Sequence, residues 1–296
     1  MCRLRGVLSL LVQAADAVLP SAMRALGCEN LRVETAAGTM HALQARGTGE
    51  LPPILLLHGL GSCAADWSIL LPRLLPLTRS VILPDLPGHG RSPAPKGGMD
   101  GARVRDATVD LLRASVREPA IVVGNSLGGV AAVRFAQAHP ELVAGLMLVS
   151  PGGAPMAEAE LDALLAQFQL PSRDDALRFM DRVLAQPGWM RPILAAGVRV
   201  RMGRPAVREL VSRMSVADLL TPEEVGALPM PVVCVWGTED EVLPPESRAF
   251  FQTYLPPHAR FEEPRGYGHS PYLDAPEDFV RRVAAFAREV TGRAAA

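Results

Sequence analysis

Ser126 lies in Gly124-Asn125-Ser126-Leu127-Gly128-Gly129, between the apolar run Ile121–Val123 and a helical pattern over 127–138. A serine on a sharp strand-to-helix turn needs small residues two positions to either side, because a Cβ there would collide with the strained backbone. Its hydroxyl then stands exposed above the sheet at the N-terminus of the following helix, where it can act as a nucleophile. A serine that merely caps a helix has no need of three flanking glycines. The hydroxyl is a poor nucleophile until a base takes its proton, and the chain has six histidines. His41 falls in a strand pattern, His139 precedes Pro140 near a helix end, and His258 follows two prolines. His58 and His89 border glycine-rich loops, and His269 follows Gly266-Tyr267-Gly268 after a last strand pattern near 260–263. An acid to orient the base is available in the loop Gly237–Pro244, where Glu239, Asp240 and Glu241 compete. Leu127 opens the helix, so its N–H lacks an intrahelical partner and can face a developing oxyanion.

Such a turn needs a sheet to carry it, and the rest of the chain supplies one. Leu31–Thr35 and Met40–Ala45 flank Ala-Ala-Gly-Thr and read as a hairpin. Ile54–Leu57, Val81–Leu83, Ile121–Val123, Leu146–Val149 and Val232–Trp236 are short continuous apolar runs, the pattern of strands buried on both faces. Helical patterns near 64–75, 101–117, 127–138, 246–254 and 276–291 separate them, which predicts βαβ units and a mostly parallel sheet. Strand patterns stop over 153–225, where Leu161, Leu164, Leu165 and Phe168 recur at helical spacing. The expected organisation is an N-terminal helical segment over 1–29, a core of 30–152 and 226–296, and a helical insertion over 153–225. An insertion after a strand's C-terminal end lies over the crevice where α/β sheets bind ligands.

Composition narrows the classes. Of 296 residues, 49% are hydrophobic, enough for a sizeable core and against disorder. A net charge of −1 with scattered arginines leaves no footprint for nucleic acid. Cys2, Cys28, Cys63 and Cys234 show no metal-ligand spacing, so no metal is expected, and reduced thiols in the cytoplasm are the simplest reading. Residues 4–26 read as an amphipathic helix, too briefly apolar for a signal peptide, that packs on the domain or lies at a surface. Association with a membrane and export, with a Cys2–Cys28 bridge, are the other readings of that segment.

These landmarks, taken together, resemble the α/β-hydrolase superfamily over residues 30–292. They are His58-Gly59 after a strand, Asp85-Leu86-Pro87-Gly88-His89-Gly90-Arg91-Ser92, the Ser126 turn and Gly268-His269, in the family's order and spacing. The resemblance implies the α/β-hydrolase fold with a helical cap insertion and a chain order of nucleophile, acid, base, hence Ser126, Asp240 and His269. Asp240 lies three residues after Gly237, as the family's acid does; the alternative segment, Val149-Ser150-Pro151-Gly152, offers none. It also implies structural roles for His58 and His89, an oxyanion hole from the backbone N–H groups of Leu60 and Leu127, and no cofactor. The branch it is most similar to is the serine carboxylesterases and lipases, including monoacylglycerol-lipase-like enzymes, whose substrate is a small-molecule ester.

Rival readings share some of these features. Gly59-Leu60-Gly61-Ser62-Cys63-Ala64 matches a dinucleotide-binding pattern with Asp85 as ribose ligand, but a hairpin precedes it and Asp85 runs into Pro87-Gly88-His89-Gly90. A carbon–carbon hydrolase of the meta-cleavage type shares Gly-Asn-Ser-Leu-Gly-Gly, yet it would need a cation, for which Arg213 is the loose candidate, and an aromatic residue where Ser270 stands. Dehalogenases and epoxide hydrolases use an aspartate nucleophile. A non-catalytic ligand receptor on the same fold is the reading of another class. For substrate contact the insertion offers Phe168, Met180, Trp189 and Arg213. From Arg191 to Arg213 six arginines face Glu209 alone, as a solvated face or as an attractor for a negatively charged substrate group or a membrane surface.

Overall fold

The structure, a computed structural model, describes residues 23–292. Eight strands form one sheet in the order β1-β2-β4-β3-β5-β6-β7-β8: β1 (Cys28–Thr35), β2 (Gly38–Arg46), β3 (Ile54–Leu57), β4 (Ser80–Pro84), β5 (Ala120–Ser126), β6 (Val143–Pro151), β7 (Val232–Val235) and β8 (Arg260–Glu262). β1, β2 and β4 pair antiparallel, and from β4 to β8 every neighbour is parallel. This is the α/β-hydrolase fold.

The central strands are continuous apolar runs because both of their faces are covered. Alternate residues go to opposite faces. Ile54, Leu56, Ile121, Val123, Met147, Val149, Val233 and Val235 join one core with Trp67, Phe279 and Phe286. Leu55, Leu57, Val122, Leu146, Leu148, Val232 and Cys234 join the other with Val133, Phe135 and Phe251. The helices that supply these layers are α1 (Gly101–Ser115), α2 (Leu127–Ala138), α7 (Pro245–Tyr254) and α8 (Pro276–Val290).

Local details differ from the sequence patterns for identifiable reasons. The hairpin turn is only Ala36-Ala37, since Thr35 pairs with Gly38, whose φ of 130° few other residues adopt. The helix expected near 64–75 is a 3-10 turn, Ala64–Leu70, continued by one α-turn, Leu71–Leu74. The N-terminal helix expected over 4–26 lies largely outside the described residues, although Met23 is buried against the first core.

Between β6 and β7 stand α3 (Glu158–Ala166), α4 (Arg173–Val183), α5 (Arg191–Met202) and α6 (Pro205–Arg213). They gather a small core of their own from Phe168, Phe179, Met180, Leu184, Ala195 and Met202. Ser172 starts α4 by accepting from the Asp175 N–H, while the Asp175 carboxylate accepts from the Ser172 N–H. No helix among the described residues is long and apolar enough to cross a membrane.

Phe279 is fully buried, with its ring 6.2 Å from Trp67 and 6.3 Å from Tyr272. Phe279→Ala should cost about 3–5 kcal/mol by leaving a cavity in this layer. Urea unfolding followed by tryptophan fluorescence should show a lower midpoint at unchanged slope.

Candidate active site

β5 runs directly into α2, and the reversal falls on Ser126, whose φ of 56° and ψ of −119° are strained for any residue with a side chain. The turn closes only because its neighbours are glycines. A Cβ on Gly124 would stand 2.3 Å from the Gly128 carbonyl oxygen, and one on Gly128 would stand 2.3 Å from that of Leu57. The loop after β3 rests on the same serine: a Cβ on Gly59 would lie 3.2 Å from the Ser126 Cβ. Leu60 and Leu127 therefore flank Ser126 from two sides, one in the β3 loop and one in the first turn of α2. Ser126 is 7% exposed and looks into cavities rather than bulk water.

His269 shares one of those cavities with Ser126. Its Nδ1 lies 2.8 Å from the Asp240 Oδ2, and the Asp240 side chain is wholly buried. The other Asp240 oxygen accepts from the N–H groups of Val242 at 2.9 Å and Leu243 at 3.3 Å. Burial acts to raise the Asp240 carboxyl, but the His269 charge and hydrogen bond, the Val242 N–H and the Ser150 hydroxyl outweigh it and hold the carboxyl low. Ser150 reaches this position through a bulge: Asn125 pairs with Val149 and Ser126 with Pro151, which leaves Ser150 as the extra residue at φ 38°. Glu239 turns instead to Thr238 and to the Gly266 N–H, and Glu241 is exposed.

The remaining histidines are engaged elsewhere. His58 accepts from the Leu86 N–H at 3.0 Å and meets the Gly59 carbonyl at 2.8 Å. His89 lies 3.0 Å from the Pro87 carbonyl and is pushed down to about 3 by burial. His139 and His258 contact Glu141 and the Met230 carbonyl. His41 binds Asp85, whose carboxylate also accepts from the Ala64 and Arg91 N–H groups at 2.7 and 2.9 Å. Asp85 is thus spent on bracing two loops, which argues against its role as a ribose ligand.

Several residues that sequence reasoning passed over hold this geometry. Asn125 donates to the Val149 carbonyl at 3.0 Å and to the His269 carbonyl at 2.8 Å, tying the serine turn to the histidine loop. Asp274 accepts from Gly268 at 2.9 Å and from Ala185 at 3.0 Å. The His269 N–H donates to the Val183 carbonyl at 2.8 Å, and Arg182 donates to the Glu241 carbonyl at 2.8 Å, so the end of α4 braces both loops. Only Asn125 left a signal, by its place inside the serine motif.

Among the expected substrate contacts, Phe168 and Met180 line the cavity that holds Ser126 and His269. Trp189 and Arg213, contrary to expectation, do not. Trp189 is 82% exposed just before α5, and the Arg213 guanidinium, half exposed, pairs with Glu209 at 3.2 Å. The insertion arginine that does line the cavity is Arg201, which is paired with Asp66. Ser62 donates to the same Asp66 oxygen at 2.6 Å.

A model of the Alpha/beta hydrolase family matches residues 54–282. The chain belongs to that family. It is 29% identical over 282 residues to an uncharacterized protein of Mycobacterium tuberculosis, covering 86% of this chain and 80% of that one. It is 30% identical over 249 residues to the pimeloyl-[acyl-carrier protein] methyl ester esterase of Yersinia enterocolitica, covering 80% and 93%. Among solved structures it is similar to a bacterial membrane phospholipase A, with a TM-score of 0.79, 22% identity and coverage of 98% and 96%, a likeness of fold.

The Asp240 contact yields a test. Asp240→Asn should leave the fold intact yet slow fluorophosphonate labelling by about 10²- to 10⁴-fold, because the amide favours the wrong imidazole tautomer. Glu239→Gln should label within about twofold of the parent, as expected for an exposed loop charge. If the Glu239 variant proved the slower of the two, Asp240 would not be the orienting acid.

Proposed function

We propose that the protein hydrolyses carboxylic esters through an acyl-enzyme on Ser126, with His269 as base and Asp240 as its orienting acid. The observation that carries this reading is the 2.8 Å contact of the His269 Nδ1 with Asp240, in a cavity wall shared with Ser126. An imidazole held through Nδ1 presents Nε2 as the proton acceptor. His269 takes the Ser126 proton as Oγ attacks the ester carbonyl, and the N–H groups of Leu60 and Leu127 receive the resulting oxyanion. Collapse expels the alcohol, which leaves with the proton that His269 returns. Water then repeats the sequence on the acyl-enzyme, releasing the acid and restoring the serine.

The substrate on this reading is an uncharged ester with an apolar acyl group. Apolar burial is worth about 0.8 kcal/mol per methylene and needs no further side chain. Residues 153–225 serve as the cap over the site, since α3, α4 and α5 contribute Leu164, Met180 and Val198 to the cavity walls. The relative from Yersinia supports ester chemistry by its name. The carbon–carbon hydrolase reading has one observation on its side, Arg201 in the cavity. Pairing with Asp66 cancels that charge, so it offers a substrate carboxylate little net attraction.

Two measurements test the proposal. Ser126→Ala should abolish fluorophosphonate labelling and reduce ester turnover to a residue of about 10³-fold over water. On p-nitrophenyl esters kcat/KM should rise from acetate toward medium chains and exceed that on a meta-cleavage dienoate by at least about 100-fold. Efficient dienoate cleavage with poor ester turnover would transfer the site to the carbon–carbon hydrolases.

A further inference from the structure

Ser126 lies at the junction of two compartments, and Leu60 and Phe168 form the partition with it. The larger encloses about 120 Å³ and runs between α1, α2 and α3, past Val104, Val109, Val130, Leu161 and Leu164. The smaller encloses about 70 Å³ and runs under α4 and α5, past Met180 and Val198. The wall of the larger is mainly apolar: Arg105, Arg134 and Asp218 stand in it, but Arg134 is engaged with the Asp218 carbonyl and Glu224, and the Thr108 hydroxyl donates to the Val104 carbonyl at 2.6 Å. The smaller contains His269 and ends on Ser62, Asp66, Arg201 and Tyr272.

The position of His269 orients an ester in these spaces. The proton it carries must reach the departing alkoxide oxygen, so that oxygen lies on the His269 side of the carbonyl carbon. The other carbon substituent of the tetrahedral centre then points away from His269, into the larger compartment. On the strength of the esterase reading above, we infer that the larger compartment takes the acyl chain and the smaller one the leaving alcohol, with the Ser62–Asp66–Arg201 cluster binding a hydroxyl carried by that alcohol. The Asp66 carboxylate and the Ser62 oxygen, whose proton goes to Asp66, offer acceptors, while the Arg201 guanidinium offers N–H donors. Because the ion pair is close to neutral, the group it suits is uncharged and hydrogen-bonding. Arg201 comes from α5 and Asp66 from the turn after β3, so the pair also fixes α5 over the alcohol space.

The test varies one half of the ester at a time on the full chain. p-Nitrophenyl esters from acetate to decanoate vary the acyl group; glycerol monobutyrate and n-butyl butyrate vary the alcohol. Val109→Trp should lower kcat/KM on decanoate relative to acetate by about 10-fold or more and leave the glycerol-to-butyl ratio unchanged. Arg201→Gln should bring a glycerol-to-butyl preference of about 10-fold close to one and leave the acyl-length profile unchanged. Val198→Trp should slow acylation by both butyrates but not hydrolysis of the common butyryl-enzyme, from which the alcohol has already departed. Val104→Phe and Leu194→Phe probe the same two walls if either tryptophan variant fails to fold. An acyl profile that shifts with Val198→Trp, or an alcohol ratio that ignores Arg201→Gln, overturns the assignment alone. Absence of turnover on every ester overturns the esterase reading and the assignment with it.

Discussion

The turn at Ser126 is the constraint on which the rest of the site depends. A residue with a side chain is held at φ 56° between a fully buried strand and a helix, in a conformation costing about 1–3 kcal/mol. It persists because the surroundings leave no alternative. Gly124 and Gly128 let β5, α2 and the end of β3 approach to distances that any Cβ would block. The parallel sheet, buried on both faces, fixes where β5 ends.

Other segments are registered to that turn by hydrogen bonds over long sequence separations. Asn125 ties it to the His269 loop and to β6, the β6 bulge turns Ser150 toward Asp240, and the end of α4 supports both outer loops. The insertion therefore bears directly on the His269 loop. Displacing α4 would remove the Val183 carbonyl from the His269 N–H and Arg182 from the Glu241 carbonyl. The position of α4 and the orientation of His269 are coupled through these few bonds.

Those parts of the fold set by local patterns were readable from the chain itself. Ile54–Leu57 announces a buried strand because four consecutive apolar residues suit a sheet with two covered faces. The glycines around Ser126 announce the turn because sterics demand them. What stayed hidden depends on rotation and on distant partners. Trp189 and Arg213 have the residue types of a binding wall, yet α5 presents Leu194, Val198 and Arg201, at i, i+4 and i+7, to the cavity. Ile193 and Val200 fall on its outer face with Trp189 beyond its start. Asp274 and Arg182 act through backbone groups, two of them, at Ala185 and Glu241, far along the chain, and no spacing rule marks such residues.

On the proposed mechanism, Ser126, His269 and the N–H groups of Leu60 and Leu127 act on one reacting carbonyl. A crystal structure of the protein after reaction with an alkyl fluorophosphonate tests this most directly, since the phosphonyl group imitates the tetrahedral intermediate. The account predicts phosphorus bonded to the Ser126 Oγ, with its oxygen about 2.7–3.1 Å from both N–H groups and His269 beside the opposite face. Phosphorus on another residue, or its oxygen turned away from Leu60 and Leu127, would contradict it.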